Sequence, residues 1–426
     1  MAEIKPIRAL RYTDKAGRLA DNVCPPYDIV SVSEREALVA RSPYNLIRLE
    51  LPEGGDDRYA KAGALLDEWL ASGVLARDDE EGIFIYEEEF DANGGHYVFN
   101  GIVCLVKLEP FEKRVVLPHE ETLKKAKEDR FNLMKNTFCN FSSIYSLYLD
   151  DEHKIPSLLA GYTKRTPEQS FTDDEGVTHR LWKIAAQSDI NFIVSVLADK
   201  QLFIADGHHR YETALRFSGH VKEQGIAGST ADYVMMTLVD MDNPGLVVFP
   251  THRLIRGMEV DADALKAKCA PHFTVTEYPD VAEAEQVLAA NRDKHAFALY
   301  TGGAGFTLLT ARPEVDEMRF DGKPKSYSSL DVTVLHTLIL EGALGIDREN
   351  MANQVNLRYT RSFDEAVQSV RSGESACAFI INPTKIREIK AVAEDGEKMP
   401  QKSTYFYPKL ITGLVMNELV PVDDIR

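Results

Sequence analysis

The stretch Leu202-Phe203-Ile204-Ala205-Asp206-Gly207-His208-His209-Arg210-Tyr211-Glu212 decides how the chain is read. An apolar run stops abruptly at Asp206-Gly207. From His208 to about Gln224 the apolar residues Tyr211, Ala214, Leu215 and Val221 recur on one side of a helix. The pattern predicts strand, tight turn, helix. Asp206 is placed to cap that helix by accepting backbone N–H groups two or three residues on, and Gly207 lets the turn close without a Cβ clash. The first helical turn then carries His208, His209 and Arg210 at the positive end of the helix dipole, which suits a phosphate or carboxylate. The plainer alternative is a solvated helix start with Arg210 paired locally.

Upstream, Asn22-Val23-Cys24-Pro25-Pro26-Tyr27-Asp28 reads as a rigid exposed segment, either functional or a structural crossover. Ser33 to Arg41 is expected as a helix capped by Ser33, Asn45 to Leu51 as a strand, and Arg58 to Ser72 as an amphipathic helix closed by Gly73. Gly82 to Phe90 and Tyr97 to Leu108 flank Asp91-Ala92-Asn93-Gly94-Gly95 as a hairpin. Pro118 is expected to open a helix with Glu120 and Glu121 in its first turn. Leu123, Lys127, Arg130 and Met134 share a stripe along it, and His119, Glu120, Lys127, Asp129 and Arg130 make a dense ionisable set. Such a helix either faces a polar cleft or is laced with solvated ion pairs.

Downstream, Pro250-Thr251-His252-Arg253 is read at a strand end. Ser328 to Glu341 is expected as one helix. Pro400-Gln401-Lys402-Ser403-Thr404 is read as a loop whose hydroxyls, ammonium and N–H groups suit an anion, with Lys409 beyond it.

Composition bounds the function. The 426 residues, 44% hydrophobic and 27% charged, are those of a globular chain of two or three domains. Its 49 Lys and Arg against 67 Asp and Glu leave a formal charge of −18, which repels a nucleic-acid backbone, so DNA is not expected as a partner. Cys24, Cys104, Cys139, Cys269 and Cys377 are scattered, without a CxxC pair, which predicts reduced thiols and no structural zinc. The start MAEIKPIRAL has no apolar h-region, and no stretch approaches the ~18 apolar residues of a membrane helix. A soluble cytoplasmic protein is expected.

Convergence of the segments 118–130, 206–212, 250–253 and 400–409 on one cleft would gather several cations in an acidic protein, as phosphoryl transfer requires. Asp206, Glu120, Asp129 and Glu212 are the carboxylates that could take a proton. A metal on His208, His209, Asp206 or His252 is a competing reading. Adjacent helical histidines diverge by about 100°, so both rarely bind one ion.

The runs Asp-Gly-His-His-Arg-Tyr-Glu-Thr-Ala at 206–214, Pro-His-Glu-Glu-Thr at 118–122, Lys-Glu-Asp-Arg at 127–130, Pro-Thr-His-Arg at 250–253 and Pro-Gln-Lys-Ser-Thr-Tyr-Phe-Tyr-Pro-Lys at 400–409 resemble the bacterial domain-of-unknown-function family ten-fifteen. The 206–210 box is similar to the signature of the ParB/sulfiredoxin superfamily, which includes nucleotide-binding partition proteins, sulfiredoxins and kinases of free serine. The resemblance implies a mixed α/β fold: a ParB/sulfiredoxin-like core carrying the strand-turn-helix phosphate box, with further α/β units around it. The box lacks the cysteine of a sulfiredoxin, and no basic helix-turn-helix is evident, so the serine-kinase branch fits best.

The expected division is 1–110, 111–258 with the box, and 259–426 with the Lys-Ser-Thr loop. The expected activity is transfer of a phosphoryl group from a nucleotide or pyrophosphate, with Mg2+ as a companion ion, to a small hydroxyl compound, free serine first. The alternative is a non-catalytic nucleotide-binding or regulatory module. Asp206, Glu120 and His209 are the catalytic candidates. His208, Arg210, His119, Lys127, Arg130, His252, Arg253, Lys402, Ser403, Thr404 and Lys409 are the phosphate-binding candidates, and no metal ligands are assigned.

Overall fold

Alternating residues on either side of Gly94-Gly95 build the expected hairpin: Ile83–Ala92 pairs antiparallel with Gly95–Lys107, from Ala92↔Gly95 at the turn to Phe84↔Val103. The computed structural model describes residues 2–92, 94–120, 122, 124–226 and 230–419, apart from the side chains at 124 and 125. The fold is mixed α/β. The chain divides into two units, one of residues 1–118, 122–247 and 408–426, the other of residues 119–121 and 248–407.

The first unit is built on a sheet of nine strands among the described residues. Its order runs Val116–Leu117, Leu202–Asp206, Ile144–Tyr148, Tyr233–Asp240, then the hairpin, Thr178–Ile184 and Gln169–Thr172, with Ile4–Lys5 beside the second hairpin strand. Pairing is mostly antiparallel; Leu202–Asp206 lies parallel to Val116–Leu117, and Tyr233–Asp240 parallel to Ile144–Tyr148. Strand residues alternate between faces. Ile83, Ile85, Ile102, Cys104, Ile144, Leu202, Ile204 and Met236 lie in one core with Phe131 and Met134, Ile190 and Ile193, and Tyr211, Ala214 and Phe217 from three helices. Those helices are Lys124–Thr137, Gln187–Leu197 and His208–Glu223. The opposite face carries Tyr86, Glu88, Phe99, Tyr145 and His179, all buried.

A second apolar cluster in this unit gathers Leu10, Leu38, Leu46, Ile47, Leu66 and Trp69. Trp69 meets Tyr44 edge-on at 5.8 Å. The helix Arg58–Ser72 packs so closely on Lys124–Thr137 that a Cβ at Gly63 would lie 2.4 Å from the Asn136 carbonyl oxygen.

The second unit is a six-stranded antiparallel sheet in the order Phe273–Tyr278, Phe306–Ala311, Ala296–Tyr300, Cys377–Ile381, His252–Ile255, Leu357–Thr360. Its core joins Leu254, Ala298 and Ile380 to Ala284 and Leu288, and to Ala366 and Val370 from the helix Phe363–Arg371. All five cysteines are buried free thiols. No helix among the described residues is long and apolar enough to cross a membrane.

Several expectations are corrected. Asn45 to Leu51 is not a strand: Ile47–Glu50 is a helical turn started by Asn45, whose Oδ1 accepts the Ile47 N–H at 3.0 Å. Leu46, Ile47 and Leu49 are all wholly buried, so the apparent alternation marks no single sheet face. The helix expected from Ser33 begins at Val32 and is capped by Ser31, not Ser33, in a capping box with Glu34. The helix expected from Pro118 starts only at Lys124; Glu121 and Leu123 lie outside the described residues. The helix expected over 328–341 starts only at Asp331, after a separate turn Lys325–Ser328, and runs on to Glu341, widening from α (Asp331–Val334) to π (Leu335–Glu341). His252 and Arg253 open a strand, as its first two residues, rather than follow one, and all four residues of His252–Ile255 are buried.

Candidate anion-binding site

Asp206 does not cap the helix. Gly207 occupies that position with φ +98°, and among the described residues no side chain caps this end. The carboxylate is turned elsewhere by the strand itself. Phe203 pairs with Leu147 and Ile204 with Ser146, but Asp206 pairs with Tyr145, leaving Ala205 as a bulge. A bulge reverses the alternation beyond it. Asp206 therefore leaves the helix-covered face and joins that of Tyr145. There its Oδ1 accepts from Lys409 Nζ at 2.7 Å and its Oδ2 from Arg210 at 2.7 Å. Arg210 also donates to the Ser143 carbonyl. A Cβ at position 207 would lie 3.0–3.1 Å from the Arg210 guanidinium, so only glycine fits both the backbone and the ion pair. Burial works to raise the Asp206 carboxyl, but the charges of Lys409 and Arg210 overcome it and hold the group far below the usual carboxylate range.

The neighbouring helix face adds alternating charge. Glu212 accepts from Lys127 Nζ at 2.6 Å and from Thr122 Oγ1 at 2.9 Å. His209 is half-buried. Burial lowers its pKa; Asp28 and Glu212 oppose that, Lys127 and Arg210 reinforce it, and the imidazole ends below its ordinary value, hence uncharged at neutral pH. His208 is buried at 4% exposure.

Arg130, also buried, is held by Asp129 at 2.6 Å and by the Glu50 carbonyl at 2.6 Å, with the Tyr27 ring 4.0 Å from its guanidinium. Glu50 accepts from Ser142 Oγ at 2.9 Å, and burial raises its pKa against the pull of Arg130. A cavity of about 40 Å³ is lined by Glu50, Arg130, Asn140, Ser142, Arg210 and Thr213. At about 10–15 Å³ per water it has room for a few waters, far below the ~300 Å³ of a cofactor pocket. Among the described residues the buried Thr213 hydroxyl has no hydrogen-bond partner there, as a water-bonded group would.

The remaining predicted residues lie in the second unit. His119 Nε2 meets Thr404 Oγ1 at 3.1 Å, and its carbonyl accepts the Met399 N–H. Glu120 is half-buried. Ser403 Oγ donates to the Pro400 carbonyl, and Lys402 is exposed in the left-handed region at φ +57°. Arg253 is wholly buried and donates to the Lys402 carbonyl at 3.2 Å, to the Thr251 carbonyl and to His336 at 3.4 Å. It has no carboxylate partner among the described residues, and burial pulls it down to about 10. His252, its strand neighbour, faces the other side of the sheet, where Nδ1 accepts the Ile381 N–H at 3.3 Å.

The structure thus brings Asp206, Arg210 and Lys409 together, with His209, Lys127 and Arg130 in the same unit. It groups His119, Lys402, Ser403, Thr404 and Arg253 in the other, and sends His252 elsewhere. Glu50 and Asp28 were missed as site residues. Glu50 occupied a polar slot of an apparent strand. Asp28 sat in the Pro-Pro-Tyr-Asp segment, whose rigidity was legible while its target was not. Among the described residues no three His, Cys, Asp or Glu side chains are grouped to hold a metal ion.

The family described as "Protein of unknown function (DUF1015)" matches residues 4–333. No curated protein matches. Among solved structures, similarity is found to a free serine kinase variant in complex with ADP, at 12% identity and TM-score 0.36, covering 73% of this chain and 91% of that one. A conserved hypothetical protein from Pyrococcus furiosus follows at 15% and 0.34, covering 72% and 92%. C-terminally truncated SbnI from Staphylococcus aureus follows at 12% and 0.35, covering 75% and 88%. At such identities and scores, what those proteins bind remains a property of theirs alone.

Proposed function

The chain belongs to the DUF1015 family of proteins of unknown function; because that description names no activity, we propose one from the geometry. The protein is a phosphotransferase that moves a phosphoryl group from a nucleotide or pyrophosphate to the hydroxyl of a small molecule, free serine being the first candidate. One observation supports it above the others: two cations from distant parts of the chain, Arg210 and Lys409, grip one carboxylate beside a helix N-terminus that no side chain among the described residues caps.

Asp206 offsets one of those two positive charges and leaves a net positive charge at the box. A donor phosphate offers them a second anion, and charge developing on the leaving group meets the same guanidinium, ammonium and helix end. Asp206, with its proton affinity suppressed, is a poor base. The hydroxyl proton passes instead to His209, uncharged at neutral pH, or to exposed Asp28, whose charge acts on both His209 and Arg210. The acceptor oxygen then bonds to phosphorus as the bond to the leaving phosphate breaks. In the second unit Lys402 is assigned to anion binding of its own, with Arg253 fixing its turn from beneath through the carbonyl. Mg2+ would arrive on the donor's phosphates, with Asp28 as the carboxylate to meet it, and would neutralise phosphate charge.

Purified protein incubated with serine and ATP, ADP or pyrophosphate should yield phosphoserine by phosphorus NMR, and Arg210→Ala should weaken pyrophosphate binding at least about tenfold. Binding without product from any donor would leave a binding module and end the catalytic reading.

A further inference from the structure

On the sheet face that receives Asp206, a second polar chain runs inward from the surface. Asp173, in the turn before Thr178–Ile184, meets His179 Nε2 at 3.0 Å; His179 Nδ1 meets the Tyr86 hydroxyl at 2.8 Å; that hydroxyl donates to Glu88 at 2.5 Å. His179 and Glu88 are 2% and 0% exposed. The imidazole is sandwiched between the rings of Phe171, at 4.9 Å, and Tyr86, at 6.0 Å. The Tyr86 hydroxyl has one more bond, accepting the backbone N–H of Ile411 at 3.5 Å. Ile411 is two residues beyond Lys409.

We propose that Tyr86, backed by His179 and Glu88, is a positioning residue for the phosphate box: it fixes the backbone at Ile411 and so the reach of Lys409 to Asp206. This rests on the reading of that box as an anion site. Two facts favour it over a network serving the sheet alone. The hydroxyl's outward bond goes to the segment bearing Lys409 rather than to another strand. Among the described residues the buried Glu88 Oε2 has no hydrogen-bond partner, which a network shaped only for stability would not leave. Tyr145, which opposes Asp206 in the sheet, feels the charges of both Glu88 and Asp206, so the two carboxylates bracket one ring.

Tyr86→Phe removes the hydroxyl and keeps the ring. Its Ile411 amide should exchange with solvent about tenfold faster, the scale of one lost hydrogen bond. The Thr412 amide, bonded to the Cys24 carbonyl at 2.8 Å, should be unchanged. Pyrophosphate affinity, by calorimetry, should fall about tenfold, and adding Tyr86→Phe to Lys409→Met should cost nothing further. Unchanged exchange at Ile411, or additive losses in the double variant, overturns the proposal. If the native protein fails to bind pyrophosphate, the phosphate reading falls, while the exchange comparison still decides whether Tyr86 holds Ile411. Should Tyr86→Phe not fold, Asp173→Asn loosens the chain from its outer end and should shift both readouts in the same direction; no shift overturns it.

Discussion

Raising the pH from 7 to 10 strips the proton from His179, and the structure sets what that costs. Burial alone would drive the imidazole toward neutrality, but its hydrogen bonds to Asp173 and Glu88, with their charges, carry it up from 6.5 to about 9. A group whose folded pKa exceeds its unfolded value contributes stability that is complete below the unfolded pKa and lost as the pH climbs through the folded one. The window here is therefore roughly 6.5 to 9. The shift corresponds to about 3 kcal/mol at roughly 1.4 kcal/mol per unit, undiscounted because the side chain is only 3% exposed. The assay is urea unfolding across pH 6–10 for the native protein and His179→Gln. Buried thiols and tyrosines also titrate in alkali, but in both proteins, so the difference isolates His179. The native protein should lose about 2–3 kcal/mol more than the variant between pH 7 and 10. Parallel curves, or an imidazole proton resonance titrating near 6.5, would refute the argument.

Gly207→Ala should strain the left-handed turn by about 1–2 kcal/mol and push Arg210 off Asp206, weakening pyrophosphate binding by calorimetry; unchanged affinity would show that Arg210 tolerates displacement. Gly63→Ala sets a methyl against the Asn136 carbonyl and should cost about 1–3 kcal/mol in thermal unfolding. Trp69→Ala, emptying a site at 2% exposure, should cost about 3–5 kcal/mol in the same assay, and a small loss would mean that the surrounding leucines collapse into the space.

The strand-turn-helix at 202–223 and the hairpin at 83–107 were legible because local chemistry and tertiary need agree there: Gly207 and Gly94 both take positive φ, and the apolar periods match the buried faces. Asp206 was legible as a site residue but not in its role. Its orientation depends on the Ala205 bulge, a matter of pairing with Ile144–Tyr148 that no residue type announces. Glu50 was hidden by the short helix at Ile47–Glu50, where three-sided burial imitates alternation. His252 and Arg253 read as a basic cluster at a strand end, but their burial was not legible: Arg253 is buried because three acceptors, two of them backbone carbonyls, receive it.

The first unit is discontinuous in the chain, and its last piece follows the whole of the second. During synthesis Asp206 and Arg210 emerge long before Lys409, so a nascent chain carries a box with one cation missing. Completion waits for the segment from residue 408 onward, stitched in by Cys24↔Thr412, Leu10↔Met416 and the Asn417–Glu418 pairing with Cys139–Asn140. A chain that stops short of residue 409 therefore holds Asp206 through Arg210 alone.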